Sequence, residues 1–343
     1  MKAILSIILL FVVNLVSGLT WWDYFRAKYR IRAFIASQTT SVPEPHLKLI
    51  PGLVRLVFHD CSGKNCDGCI NKTHPFNGRV FPVVEALEPL YNYKDISGFS
   101  IKNVMSRADF WAFGSIEATK LAIQLNNQRC KFKGCKTPIM YLPFKFGRKD
   151  CPTSPYYTTD ITPELPPAFL DNRATLRFFR KNFGFNAEET TAIMGGHSIG
   201  FTANATRIPG TWEVGNVDGF SNQYFKNIIN KNLNWNQATT LTDTGEKRFR
   251  WIGNGDAFGL QTDINLVRDI TVNTTTGESS PYNTSPKSPT YKYVERLTHQ
   301  LYFSYLYSKT FMKMISLGGN ELKRPTLFNF NGLSNKNVSS IVP

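Results

Sequence analysis

With 343 residues, 42% of them hydrophobic and 13% aromatic, the chain can bury a large core as one large or two smaller domains. Its formal net charge of +15 favours acidic partners such as a matrix polysaccharide, or negatively charged membrane surfaces. The lysines and arginines are scattered and no nucleic-acid reading motif accompanies them, so the sequence gives no ground for specific nucleic-acid recognition.

Residues 1–18 have the three parts of a secretory signal peptide: Met1-Lys2, an apolar run over 3–16, and the small-residue end Val16-Ser17-Gly18. The run is too short to span a bilayer, and no later stretch is long and apolar enough, so the expected mature chain is residues 19–343, exported and without a transmembrane segment. Residues 22–37 read as a basic, aromatic-bearing helix, and 47–60 as an apolar one after the break at Ser41-Val42-Pro43-Glu44-Pro45. Helical spacing recurs over 82–91 and over 106–124, where Ser106 and Asp109 suit a helix start. Residues 128–151 read as loop with short extended pieces, 168–183 as an amphipathic helix with Phe178 and Phe179 inward, and 186–197 as a helix with early acidic residues. Beyond a loop over 200–218, a helix is expected over 222–232 and a polar, loop-like stretch with room for a short hairpin over 236–256. A helix start follows at 264–269, then a Thr/Ser/Pro-rich loop over 273–289 and a last long helix over 291–317. The pattern is mainly α with minor β.

Six cysteines, an even number, read as disulfides in an oxidising compartment. N-x-S/T acceptor sites for glycosylation stand at Asn71, Asn204, Asn273, Asn283 and Asn337.

Chemistry concentrates in the stretch 53–70, L-V-R-L-V-F-H-D-C-S-G-K-N-C-D-G-C-I. On a helix, Arg55 and His59 lie four residues apart and share a face, with Phe58 at its edge. The same residues also fit a core helix whose polar groups meet buried carboxylates, and His59 with Cys61, Cys66 and Cys69 invites a zinc reading. A second feature is Gly195-Gly196-His197, where the missing Cβ atoms let backbone or a flat ligand approach.

Together these stretches resemble the haem peroxidases of plants, fungi and bacteria. R-L-V-F-H-D-C, H-P-F-N-G, S-R-A-D-F, F-G-R-K-D, G-G-H-S-I-G and L-Q-T-D occur in the family's order, over nearly the whole mature sequence. The resemblance implies two helical halves, about 19–185 (distal) and 186–343 (proximal), enclosing haem b in one unit. His197 would bind the haem iron, with Asp263 accepting its other ring N–H. His59 would be the distal base, Arg55 the catalytic arginine and Asn77 the amide that sets the His59 tautomer. Phe58, Ser198 and Trp212 would line the cofactor site, and Asp109 and Arg148 would form a structural ion pair. The implied reaction reduces hydrogen peroxide to water, with His59 moving the proton and Arg55 stabilising charge while a small donor returns electrons one at a time.

Departures from the pattern refine this. Phe58 and the pair Cys61–Cys66, expected to be bridged, match the secreted branches; the partners of Cys69, Cys130, Cys135 and Cys151 stay open, although Cys130 and Cys135 are close in sequence. Trp212, fifteen residues after His197, instead resembles the intracellular ascorbate and cytochrome c branch. Asp60 and Asp67 match distal calcium ligands, but Cys69 replaces a serine hydroxyl, and sulfur is a poor calcium ligand. At the proximal cation position Ser198 fits while Ser221 replaces an aspartate, which argues against calcium there. Thr206, with Arg207 one later, stands where ascorbate users carry arginine. Lys48, Gly52 and Ala203 lack the acidic trio of manganese oxidisers, and Ala192 replaces the surface tryptophan of lignin oxidisers. A small phenolic or other aromatic donor is therefore expected ahead of ascorbate. The competing reading is a cationic matrix-binding glycoprotein that retains the fold without turnover.

Overall fold

The computed structural model describes residues 19–41, 48–63, 65–131, 133–157, 165–202, 210–241, 247–273 and 275–326. Residues 1–18, Asn204, Thr206, Arg207, Ala203 and Asn337 lie outside them. Among the described residues ten α-helices dominate: α1 (Trp21–Ser41), α2 (Leu49–Cys61), α3 (Phe81–Asn92), α4 (Arg107–Arg129), α5 (Asn172–Phe183), α6 (Ala187–Met194), α7 (Gln223–Ile229), α8 (Gln261–Ile264), α9 (Tyr291–Leu297) and α10 (Gln300–Met314). Among the described residues no helix is long and apolar enough to cross a membrane.

Helix α4 is central, and its unbroken buried run from Ala108 to Thr119 covers every face, as expected of a helix enclosed by others. The Ser106 side chain caps it by accepting the Asp109 N–H at 3.0 Å, satisfying a donor that a helix start leaves orphaned. Helix α1 lays Tyr24, Ala27, Ile31 and Ile35 on this core. Helix α6 starts with a reciprocal capping box between Asn186 and Glu189. It ends where a Cβ on Gly195 would come within 2.5 Å of Phe303 and 2.7 Å of Phe225. The first glycine of the Gly-Gly-His motif thus admits close helix packing, not a flat ligand.

The structure realises the short hairpin for which 236–256 has room, and differs from the sequence reading elsewhere. The polar stretch 236–256 forms strands β3 (Asn236–Leu241) and β4 (Lys247–Gly253), with β5 (Ala257–Gly259) on the far side of β4, all antiparallel. Trp251 anchors this sheet, buried with its indole N–H donating to Gln261 Oε1 at 2.7 Å. Two-residue strands β1 (Phe201–Thr202) and β2 (Gly210–Thr211) pair just after the histidine motif. The expected helix over 291–317 is broken at Thr298–His299, where the Asn222 side chain donates to the Thr298 carbonyl and the Gln300 side chain accepts the Asn222 N–H at 3.1 Å. The expected helices over 222–232 and 264–269 shrink to α7 and to α8, which ends at Ile264.

All six cysteines are paired, as Cys61–Cys66, Cys69–Cys151 and Cys130–Cys135, which removes the zinc reading. Asp109 and Arg148 form a buried ion pair at 2.6 Å.

Candidate active site

Helix α2 carries the first half of the site. Arg55 Nε donates to His59 Nε2 at 3.2 Å along the helix, the i,i+4 neighbour relation acting on a polar pair. On the other side of the ring, His59 Nδ1 and Asn77 Oδ1 are 2.6 Å apart. Asn77 Nδ2 already donates to the Asn71 carbonyl at 2.8 Å. Its Oδ1 therefore faces the ring and accepts the Nδ1 proton, leaving Nε2 unprotonated, as the acceptor of the Arg55 N–H. Burial first, then the Arg55 charge, drives the His59 pKa down to about 3, against the pull of the Asn77 bond. This histidine is neutral at ordinary pH. Burial and the nearby Arg79 charge bring Arg55 down to about 10, still a cation at neutral pH. Phe58 stacks on Phe183 at 5.4 Å and lies edge-on to His59 at 5.9 Å, so α5 braces the helix that holds the imidazole.

The second half is built on the short 3-10 turn Gly195–Ser198. His197 Nδ1 meets Asp263 Oδ1 at 2.8 Å, across 66 residues of sequence. Trp212 stacks on the His197 ring, centroids 4.1 Å apart and 19° from parallel, and donates its indole N–H to Asp263 Oδ2 at 2.6 Å. The Leu260 N–H reaches the same oxygen at 2.7 Å, and the Tyr224 hydroxyl donates to Oδ1 at 2.8 Å. Burial alone would raise Asp263, but His197 and the N–H donors outweigh it and hold the carboxyl below its usual range. Burial beside this carboxylate keeps the Tyr224 hydroxyl protonated. With Nδ1 committed, Nε2 is the ligand atom His197 can offer, and its side chain is 31% exposed while Asp263 is fully buried.

The two halves adjoin. Gly200, at φ +123°, brings its Cα to where a Cβ would touch Pro51 at 3.3 Å, and the Arg79 guanidinium lies 5.6 Å over the Phe201 ring. Arg79 Nε is buried without a hydrogen-bond partner.

The expected calcium ligands are arranged differently. Asp60 Oδ1 accepts the N–H groups of Asp67, Gly68 and Cys69 at 3.2, 2.7 and 3.2 Å. Both Asp67 oxygens accept from Tyr157, and the Asp67 and Gly68 carbonyls are taken by the Cys151 N–H and the Ser154 hydroxyl. Only Asp60 Oδ2 stays without a partner, whereas calcium takes six to eight oxygens; the residues do not fit that ion. Among the described residues no group of three or more His, Cys, Asp or Glu could hold a metal. At the proximal position Ser198 Oγ is buried without a partner, and Ser221 Oγ donates to Glu213 at 3.0 Å.

Four participants escaped the sequence reading: the Asn71 carbonyl, Arg79, Tyr224 and Glu213. Asn71 had been marked as a glycosylation acceptor, but it is 4% exposed. Asn273 and Asn283 are exposed. Tyr224 carries no local signal of its role, because its partner Asp263 lies 39 positions away.

A sequence model of the family described as Peroxidase matches residues 31–277. Among curated proteins, Peroxidase 29 of Arabidopsis thaliana is 28% identical over 187 residues, 54% of this chain and 52% of that protein. A mitochondrial cytochrome c peroxidase of Cryptococcus neoformans is 28% identical over 234 residues, 64% of this chain and 53% of that protein. A Candida albicans protein whose name carries the words heme-binding peroxidase is 27% identical, the match covering 64% of this chain and 70% of its own. The chain thus spans about half the length of the first two relatives. With the family model covering well over half of the sequence, this chain belongs to the peroxidase family.

Proposed function

We propose that the chain is a haem-dependent peroxidase that reduces hydrogen peroxide to water at the expense of a small reducing donor. One observation carries the reading: two histidines from adjoining segments each have Nδ1 tied to an oxygen acceptor, Asn77 for His59 and Asp263 for His197. A histidine backed by a carboxylate is a strong iron ligand, and one backed by a neutral amide is a weak-acid base. The partly exposed His197 ring beside a fully buried Asp263 would hold the iron of haem b, and that group would supply the two-electron redox capacity.

His59 then takes a proton from the near oxygen of peroxide at Nε2 and delivers it to the far oxygen, the one that leaves as water. The depressed basicity of His59 leaves the ring unprotonated and open to a proton at neutral pH, and suits the second half of the transfer, since a base that holds its proton weakly gives it up readily. Arg55 approaches the same nitrogen and offers its remaining N–H groups to the negative charge that develops as the O–O bond breaks. Asn77, itself held by the Asn71 carbonyl, keeps the ring from turning to the wrong tautomer. A phenolic or other small aromatic donor is the preferred electron source. The three disulfides favour an oxidising compartment, consistent with export.

Stopped-flow absorption tests this. The purified protein should show a haem Soret band that responds to peroxide, and His59→Leu should slow that response by about 10²- to 10⁴-fold. A protein that takes up no haem, or a His59→Leu variant with full reactivity, refutes the assignment. A donor panel of phenols, ascorbate and cytochrome c resolves the reducing substrate.

A further inference from the structure

Asp263 is the most heavily subscribed acceptor in the site. An ionised carboxylate offers about four acceptor positions, and four donors fill them: His197 and Tyr224 on Oδ1, Trp212 and Leu260 on Oδ2. The donors on Oδ2 draw on the carboxylate as a whole. Tyr224 differs, because its hydroxyl and the His197 N–H share one oxygen, each at 2.8 Å. Charge drawn toward the hydroxyl is charge withheld from the imidazole.

Tyr224 is also built to stay where it is. It is 1% exposed, comes from α7, packs edge-on to His197 at 5.9 Å and 85°, and lies 4.9 Å from Phe225. Its backbone N–H is anchored separately, donating to Glu213 Oε1 at 3.2 Å. A phenylalanine would keep the ring contacts and remove only the hydroxyl.

We propose that Tyr224 is a positioning residue that sets the donor strength of His197 by sharing Asp263 Oδ1 with it. The proposal rests on His197 being the iron ligand. A carboxylate that leans harder on the Nδ1 proton makes the imidazole more anionic, and an anionic ligand favours ferric over ferrous iron. Tyr224 therefore moderates His197, holding the iron easier to reduce than the His197–Asp263 pair alone would leave it.

The experiment uses the intact haem-loaded protein and Tyr224→Phe. The ferric-to-ferrous midpoint should fall, by about 59 mV if the preference for ferric iron rises tenfold, and the iron–histidine stretching frequency should rise. Replacing the Tyr224 hydroxyl with the more acidic one of a fluorotyrosine should move both readouts in the opposite direction, and it serves as the deciding variant if Tyr224→Phe does not fold. Midpoint and frequency unmoved by either change overturn the proposal. The haem-free protein gives a separate reading: the His197 Nδ1 proton should move downfield in Tyr224→Phe by NMR, and an unmoved resonance counts against the proposal. If the parent protein binds no haem, the peroxidase reading fails while the NMR comparison still decides whether Tyr224 competes for Asp263.

Discussion

Glu213→Gln should make the protein more stable in base and slightly less stable in acid. Glu213 follows Trp212 directly and is 3% exposed. It has no ion-pair partner among the described residues; its carboxylate accepts from Ser221 Oγ, Asn216 Nδ2 and the Tyr224 N–H at 3.0, 3.0 and 3.2 Å. Those three bonds do not offset desolvation, which pushes the carboxyl up to about 7 from an ordinary 4.5. The folded state then binds more protons than the unfolded state between those two values, so stability falls as pH rises through that window. The difference of about 2.5 units corresponds to roughly 3 kcal/mol of charge-burial cost above pH 7. Glutamine is uncharged throughout and carries no such cost, although its amide group sacrifices about 1 kcal/mol where a donor now faces a donor. The expected gain is therefore about 2 kcal/mol at pH 8.5, and a loss of about 1 kcal/mol is expected at pH 4.5. Urea unfolding of parent and variant at both pH values, with disulfides intact, measures the change. A stability difference that is the same at the two pH values would refute the reasoning, because it would mean that Glu213 is not buried with its charge.

Because the His59 pKa is depressed to about 3, the rate of reaction with peroxide should stay flat from pH 8 to about 4 and decline only near 3; a stopped-flow midpoint near 6 would contradict the buried, Asn77-tied ring. The Asp109–Arg148 pair, with both side chains at most 3% exposed, also holds Arg148 Nε and Nη2 on the Ile315 carbonyl. Asp109→Asn strands that charge and should cost about 3–5 kcal/mol in denaturant unfolding; a loss under 1 kcal/mol would mean the cation finds water or another partner. Peptide mapping by mass spectrometry of exported protein should find glycan at the exposed Asn273 and Asn283 and none at the buried Asn71. Prolonged chelation at neutral pH should leave thermal stability and peroxide reactivity unchanged, since the Asp60–Asp67 loop is closed by protein donors; a fall in either that added calcium reverses would show otherwise.

What the sequence revealed follows from how local each interaction is. Arg55 and His59 were legible because one helix turn brings them together, and Ser106 because capping is decided within three residues. The place of Trp212 and Asp263 beside His197 could be reached only through resemblance, since 51 and 66 residues separate Asp263 from its two ring partners. Tyr224 and Glu213 were missed for the same reason, without a motif to compensate. Within 236–256 the hairpin of β3 and β4 was legible, but its polar residues hid the pairing of β4 with β5, where Trp251 is a fully buried anchor. The break between α9 and α10 has no proline or glycine to announce it: Asn222, far away in sequence, draws the Thr298 carbonyl out of the helix.

The loop after α2 shows how a site can be held without the ion that resemblance suggests. Asp60 follows His59 directly, so whatever fixes Asp60 also fixes the end of the helix carrying the imidazole. An acidic side chain buried beside another acid, Asp67, has its carboxyl raised well above the ordinary range by burial and then by that neighbour. Three backbone N–H groups converging on Oδ1 pull against that rise without cancelling it. For the amides to converge, residues 67–69 must turn back on the helix end, and Gly68 makes that turn at φ +67°. Two disulfides then hold the turn from both sides, Cys61–Cys66 to the helix and Cys69–Cys151 to the chain 82 residues onward. Cys69, the residue that weakens the calcium expectation, also ties the turn: its sulfur stands where a ligand oxygen is expected, its bond supplies a covalent restraint, and its N–H joins the donors on Asp60.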